Sequence, residues 1–127
     1  MENSKKFIRT AIVYVRAYSK ETLNIYDLSE QEKVASDYAS KNGYSILKVF
    51  REENVSAKNF DRPALKEMLA YIEANKWKVK FLIVTDRTRL STNSVGLGKL
   101  GWFLKTKGIK VISIVQSMLK QSTAQPK

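Results

Sequence analysis

Four short strings hold the residues of this sequence best suited to handling a phosphate. The first is Tyr14-Val15-Arg16-Ala17-Tyr18-Ser19, in which a permanently charged guanidinium precedes two hydroxyls. The others are Ser56-Ala57-Lys58, Asp61-Arg62-Pro63 and Asp86-Arg87-Thr88-Arg89. Arginine suits the task because its planar fork binds phosphate oxygens bidentately and does not deprotonate. A hydroxyl held beside such groups can attack a phosphodiester. The guanidinium groups then stabilise charge on the phosphoryl oxygens and help depress the pKa of the nucleophile. Asp86 is suited to orienting an arginine or handling a proton. Taken singly, each residue has a plainer reading. Arg16 reads as a solvated residue after a strand, and Ser56 as a turn residue bonded to its own backbone. Arg62 reads as a surface residue in a first helical turn, and Asp86-Arg87 as a structural ion pair. Their joint placement at the ends of strands favours a common site.

Composition narrows the chemistry. With 127 residues the chain is one domain with a single core. Its hydrophobic fraction of 43% and charged fraction of 28% are those of an ordinary globular protein. It contains no Cys and no His. Disulfides, thiolate chemistry and a Ser-His-Asp triad are thereby excluded. A zinc site loses its commonest ligands, and no metal or cofactor is expected. The net charge of +11 favours a polyanionic partner. No apolar run approaches the ~20 residues of a membrane span. The start, Met1-Glu2-Asn3-Ser4-Lys5-Lys6, has no apolar signal core behind its lysines. The reading is a cytoplasmic protein that stays out of the membrane. The glycine-rich loops of nucleotide folds are absent, so arginine side chains must hold the phosphate in place of backbone amides.

The elements that would position these residues follow from hydrophobic spacing. Ala11 to Val15 is an unbroken apolar run suited to a strand buried on both faces. Leu23 to Leu28 reads as a loop, and Ser29-Glu30-Gln31-Glu32 as a capping box that opens a helix. Asn42-Gly43 stops that helix, and Ile46 to Phe50 makes a second strand. Arg51 to Phe60 reads as a polar loop. Asp61 is placed to cap the next helix, with Pro63 in its first turn. Leu65, Met68, Leu69 and Ile72 carry its apolar stripe. Phe81 to Val84 is a third strand. Leu97, Leu100 and Leu104 mark a further helix, weakened by Gly96, Gly98 and Gly101 and ended by Lys107-Gly108. Ile109 to Val115 is a fourth strand, followed from Gln116 by a polar tail without helical period. The alternation predicts an α/β fold: an open, mainly parallel sheet of four or slightly more strands, with helices on both faces. In such sheets ligands bind outside the carboxyl ends of the strands. The four strings fall at those ends.

With these residues in place, the chain resembles the catalytic domain of serine recombinases, the superfamily of resolvases, invertases and phage integrases. The resemblance runs from about Ile12 to about Ala124. It rests on Tyr14 and Arg16, on Gln31 early in the first helix, and on Ser56 and Lys58. Arg62 with Pro63, and Asp86 with Arg87, complete it. The run Ile112 to Gln116, with Ser122-Thr123-Ala124, is similar to the family's exit from its fourth strand. What the resemblance implies is a resolvase-like domain for site-specific recombination of double-stranded DNA. A serine attacks a DNA phosphate, forms a 5′-phosphoserine link and frees a 3′-hydroxyl. Strands exchange within a synaptic tetramer of the full-length protein and are religated, without metal or nucleotide cofactor. The implied catalytic set is Ser19, Arg16, Asp86, Arg87 and Arg89. Tyr14, Tyr18, Gln31, Ser56, Lys58 and Arg62 would bind the phosphate or support the site.

Two positions depart from the family pattern. The family nucleophile sits two residues after the arginine, where this chain has Tyr18, and Ser19 follows one residue later. Adjacent side chains of a strand point to opposite faces, so Ser19 needs a strand end or a bulge to reach the phosphate. The family also expects an arginine three residues after Arg87, where Leu90 stands, with Arg89 one residue early. The family continues into a long oligomerisation helix and a separate DNA-binding region. The expectation is therefore a single catalytic domain, 1–127, truncated before those parts. Three readings stay open. The first is an active recombinase domain using Ser19. The second is a catalytically impaired resolvase-like DNA-binding or regulatory domain. The third, from another class, is a basic α/β module that binds a small phosphate ligand. Attack by Tyr18 is disfavoured, because its longer side chain sets the hydroxyl several ångströms from a serine Oγ.

Overall fold

A computed structural model describes residues 9–17, 28–53, 62–91, 94–115 and 117. In chain order it contains β1 (Arg9–Ala17), α1 (Leu28–Asn42), β2 (Tyr44–Glu53), α2 (Pro63–Ala74) and β3 (Phe81–Val84). A single 3-10 turn (Arg87–Arg89), α3 (Ser94–Thr106) and β4 (Lys110–Ser113) follow. The strands form one sheet in the order β2-β1-β3-β4, and every pairing is parallel. This is the expected α/β sheet with the expected alternation of elements.

The apolar run of β1 explains its central place. Ala11, Ile12, Val13, Tyr14 and Val15 are all fully buried. Alternation sends Ala11, Val13 and Val15 to one face, where Ala35 and Ala39 of α1 meet them. Ile12 and Tyr14 go to the other face, against Met68 and Ile72 of α2 and Leu104 of α3. Helices thus cover both faces. Each large aliphatic side chain buried there contributes roughly 1.5–3 kcal/mol.

One irregularity sets the architecture of the site. The β1–β2 register runs from Arg9↔Tyr44 to Ala17↔Glu53, but slips between Ala11↔Ile46 and Ile12↔Lys48. Leu47 is the extra residue. Before the slip, Tyr44 and Ile46 pack on the α1 side; after it, Val49 does so. Phe50 then joins the α2 side. A one-residue bulge exchanges the two faces of a strand. Glu52, two residues beyond Phe50, is thereby buried on the side of α2.

Several boundaries differ from those expected. Helix α1 is already formed at Leu28, so Ser29 lies inside it and does not open it as a cap. Arg51–Glu53 continue β2 and are not loop, because they pair with Val15 to Ala17. Arg62 occupies the cap position of α2 and makes no side-chain cap; Asp61 lies outside the described residues. Pro63 does stand in the first turn. Strand β4 stops at Ser113, and Ile114, Val115 and Ser117 are helical. The helix stops at Gly43 and Gly108 hold: both adopt left-handed φ values, 77° and 72°, that glycine takes without strain.

Candidate active site at the carboxyl edge of the sheet

Tyr14 and Arg16 share one face of β1, two residues apart. Arg16 is fully buried. Its Nε donates to the carbonyl of Arg89 at 3.0 Å, and its Nη2 to the carbonyl of Thr88 at 2.9 Å. The pairing of β1 with β3 ends at Val13↔Ile83, so the main chain of Arg16 has outrun its neighbour. Buried backbone groups need partners, and Gln31 supplies them. The Arg16 amide donates to Gln31 Oε1 at 3.1 Å, and Gln31 Nε2 donates to the Arg16 carbonyl at 2.7 Å. One amide side chain from α1 thus stands in for the missing strand.

Arg62 enters the same place from the start of α2. It is buried, and its Nη1 donates to the Leu90 carbonyl at 2.6 Å. Its Nη2 donates to the Arg89 carbonyl at 2.9 Å and to Tyr14 Oη at 2.7 Å. The Tyr14 hydroxyl in turn donates to Glu52 Oε1 at 2.8 Å. Glu52 also accepts the amides of Ala64 and Leu65, each at 3.0 Å. It therefore caps the first turn of α2 from a neighbouring strand, while Arg62 at the cap position makes no side-chain cap. Burial holds the Tyr14 phenol well above the usual range, opposed by the nearby Arg62 guanidinium and reinforced by the hydrogen bond to Glu52. Tyr14 is thus a neutral hydroxyl that links a buried cation to a buried carboxylate.

The segment after β3 closes the site. Asp86 is extended and caps the 3-10 turn, accepting the Thr88 amide at 2.8 Å; the Thr88 hydroxyl also donates to it. Its carboxylate lies 3.9 Å from Arg89 Nε. The structural ion pair read for Asp86-Arg87 is therefore made with Arg89 instead. Arg89 is buried, and its Nη1 donates to the Arg16 carbonyl at 2.7 Å. Arg87 is exposed. Leu90, at the position of the absent family arginine, is buried in the core and offers its carbonyl to Arg62.

Of the expected site residues, Arg16, Gln31, Tyr14, Arg62, Asp86 and Arg89 are brought together, with Arg87 beside them on the surface. Tyr18, Ser19, Ser56 and Lys58 lie outside the described residues. The plainer readings of Arg16 as solvated and Arg62 as a surface residue fail, since both are buried. Glu52 was not among the expected residues. It lay in a polar run that reads as loop, and the only signal for it was its i, i+2 spacing from Phe50. Among the described residues no group of three His, Cys, Asp or Glu is placed to hold a metal ion.

The electrostatic consequence is specific. Three guanidinium groups converge where β1 and β3 end, and Arg16 and Arg62 donate to one and the same oxygen, the Arg89 carbonyl. Their charge is fixed by the fold and partly desolvated, so it acts at short range with little screening.

The chain matches the family model described as the resolvase N-terminal domain over residues 11–127. No curated protein matches it in sequence. Among solved structures, it is similar to the N-terminal catalytic domain of TP901-1 integrase, with a TM-score of 0.75 and 20% identity. That likeness covers 85% of this chain and 78% of the other. The C-terminal catalytic domain of ISC1926 TnpA, an IS607-like serine recombinase, gives 0.70 at 20% identity, over 91% and 78% of the two chains. A resolvase family site-specific recombinase from Streptococcus pneumoniae gives 0.71 at 20% identity, over 84% and 72%. These likenesses show the same fold. The family match extends over almost the whole sequence, and the chain belongs to the resolvase N-terminal domain family.

Proposed function

We propose that the chain is the catalytic domain of a site-specific DNA recombinase of the serine type. The observation that carries this reading is the convergence of Arg16, Arg62 and Arg89 at the end of β1, after which the sequence runs on to Tyr18 and Ser19. Ser19 is the nucleophile. Its Oγ attacks a DNA phosphorus, the bond from phosphorus to the 3′-oxygen breaks, and a 5′-phosphoserine link forms. The serine gives up its proton, and the departing 3′-oxygen gains one. Arg87, exposed beside the cluster, contacts the phosphate directly. Arg16, Arg62 and Arg89 supply a fixed positive field for the pentacoordinate charge. Asp86 holds the turn that carries Arg87 and Arg89. Ser56 and Lys58, which follow β2 in the sequence, are assigned to binding the phosphate or supporting the site. Tyr14 and Gln31 are positioning residues: Tyr14 acts through Arg62, and Gln31 through the main chain of Arg16. The partner is double-stranded DNA, and strand exchange requires dimers and tetramers of the full-length protein.

The test is a pool of nicked random-sequence duplexes from which a cleaved strand cannot be religated. Denaturant-resistant adducts are expected with the parent chain and with Tyr18→Phe, and are lost in Ser19→Ala. An adduct lost only in Tyr18→Phe transfers the chemistry to the tyrosine. DNA binding with no adduct under any condition leaves the impaired-domain reading in its place.

A further inference from the structure

The edge of the sheet opposite the candidate site carries features that the cleavage chemistry does not use. Because the strands are parallel, their amino ends meet there. The turn after α2 places Lys76, Lys78 and Lys80 on the surface, and Lys110 opens β4 beside them. The Lys110 amide donates to the Lys80 carbonyl at 3.0 Å, which joins the two segments. The acidic side chain among them is Glu73, which is paired with Lys107 at 2.8 Å and Lys76 at 3.8 Å. Lysines outnumber it, so the edge is positive.

Trp77 stands in the middle of this edge. It is 69% exposed, and its φ of 70° is left-handed, which bulky residues rarely adopt. Glycine would take that conformation without strain, so the turn geometry does not call for a tryptophan. Its ring lies over Gly108, where an added Cβ would sit 3.5 Å from Trp77 Cζ3. The ring also lines an open cavity of about 140 Å³ together with Ile72, Val79, Lys107 and Ile109. An exposed, seated indole set among lysines combines a stacking surface with a cationic track. Single-stranded nucleic acids are held in this way, by bases on aromatic rings and phosphates on basic side chains. A duplex keeps its bases stacked inside and offers the ring nothing. A second copy of this chain would bring like charges together.

We infer that the Trp77 edge is a second nucleic-acid site, which takes an unpaired strand by stacking a base on Trp77 and holding its phosphates on Lys78, Lys80 and Lys110. It is independent of the cleavage chemistry at the other edge.

The chain has two tryptophans, so the full chain carrying Trp102→Phe reports on Trp77 alone. A 20-nucleotide oligo-dT, a 20-base-pair duplex and phosphatidylserine vesicles are each titrated at low salt. The single strand is expected to quench Trp77 fluorescence more than either of the others. In a binding assay with labelled oligo-dT, Trp77→Gly should weaken affinity roughly tenfold while keeping the turn. The triple variant Lys78→Glu, Lys80→Glu, Lys110→Glu should weaken it at least as much and flatten its salt dependence. Trp77→Gly should leave covalent adduct formation at the other edge unchanged. No quenching, unchanged affinity in both variants, or stronger quenching by duplex or vesicles overturns the inference. Because adduct formation is read separately, that failure is distinct from failure of the recombinase reading.

Discussion

Glu52 shows how much of the site depends on one buried side chain of β2. It caps α2 through two amides, accepts the Tyr14 hydroxyl and so fixes the group to which Arg62 donates. Glu52→Ala leaves those donors buried without their acceptor, and the cost is about 3 kcal/mol. Urea denaturation should show the midpoint falling with no change in slope. Tyr14 adds a pH signature. Its phenol is held above the ordinary value near 10 when folded. Below that value both states keep the proton, and stability does not respond to this group. Above it the unfolded chain releases the proton first, so stability falls as pH rises, by up to about 1.4 kcal/mol per pH unit. Tyr14→Phe should remove that part of the alkaline slope in denaturation series between pH 9 and 11.5. A slope identical to the parent's would show that the phenol titrates normally.

Among the elements, β2 carries a single inserted residue. Leu47 is 42% exposed, and Leu47→Ala is expected to change stability by less than about 1 kcal/mol. Deletion of Leu47 removes the extra residue, so the pairs Ala11↔Ile46 and Ile12↔Lys48 follow without a break, and Phe50 and Glu52 stay opposite Tyr14 and Arg16 on the α2 side. No core group changes side, so thermal unfolding should keep its cooperative transition, with the bulge and its local twist lost. Helix α3 forms despite its glycines, held by Leu104 and by the partly buried Leu97, Leu100 and Phe103 packed on the core. A Cβ added at Gly98 would meet nothing within 4 Å. Gly98→Ala should therefore stabilise the protein by roughly 0.5–1 kcal/mol, seen as a raised Tm.

For the molecule as a whole, the division of the two sheet edges matters most. Three arginines are buried at the carboxyl edge, and a row of exposed lysines lies at the amino edge. The first arrangement holds charge at fixed positions, as the proposed phosphate chemistry requires; the second leaves charge mobile on the surface, as the proposed strand site requires. A net charge of +11 gives DNA binding a strong salt dependence. Affinity for a duplex should fall at least about tenfold between 50 and 200 mM salt, as expected for two or more phosphate contacts. Fluorescence anisotropy at a series of salt concentrations measures the slope. A flat response would mean that phosphates contribute little to the contact.

Sequence alone located the strands and helices because burial there follows local patterns. The unbroken run at Ala11 to Val15, the i, i+3, i+4, i+7 stripe of α2 and the glycines at 43 and 108 each declare an element or its end within a few residues. The same local information marked Arg16, Arg62 and Asp86 as chemically capable. It could not show that Arg16 and Arg62 are buried, because arginine is ordinarily a surface residue and the partners here are main-chain carbonyls at Thr88, Arg89 and Leu90. Carbonyl oxygens carry no sequence identity. Nor could it find Glu52, whose inward direction depends on the bulge at Leu47 and on the register between β1 and β2. Register is settled by packing between segments some thirty-five residues apart. Only the assembled sheet decides which parity of β2 faces α2.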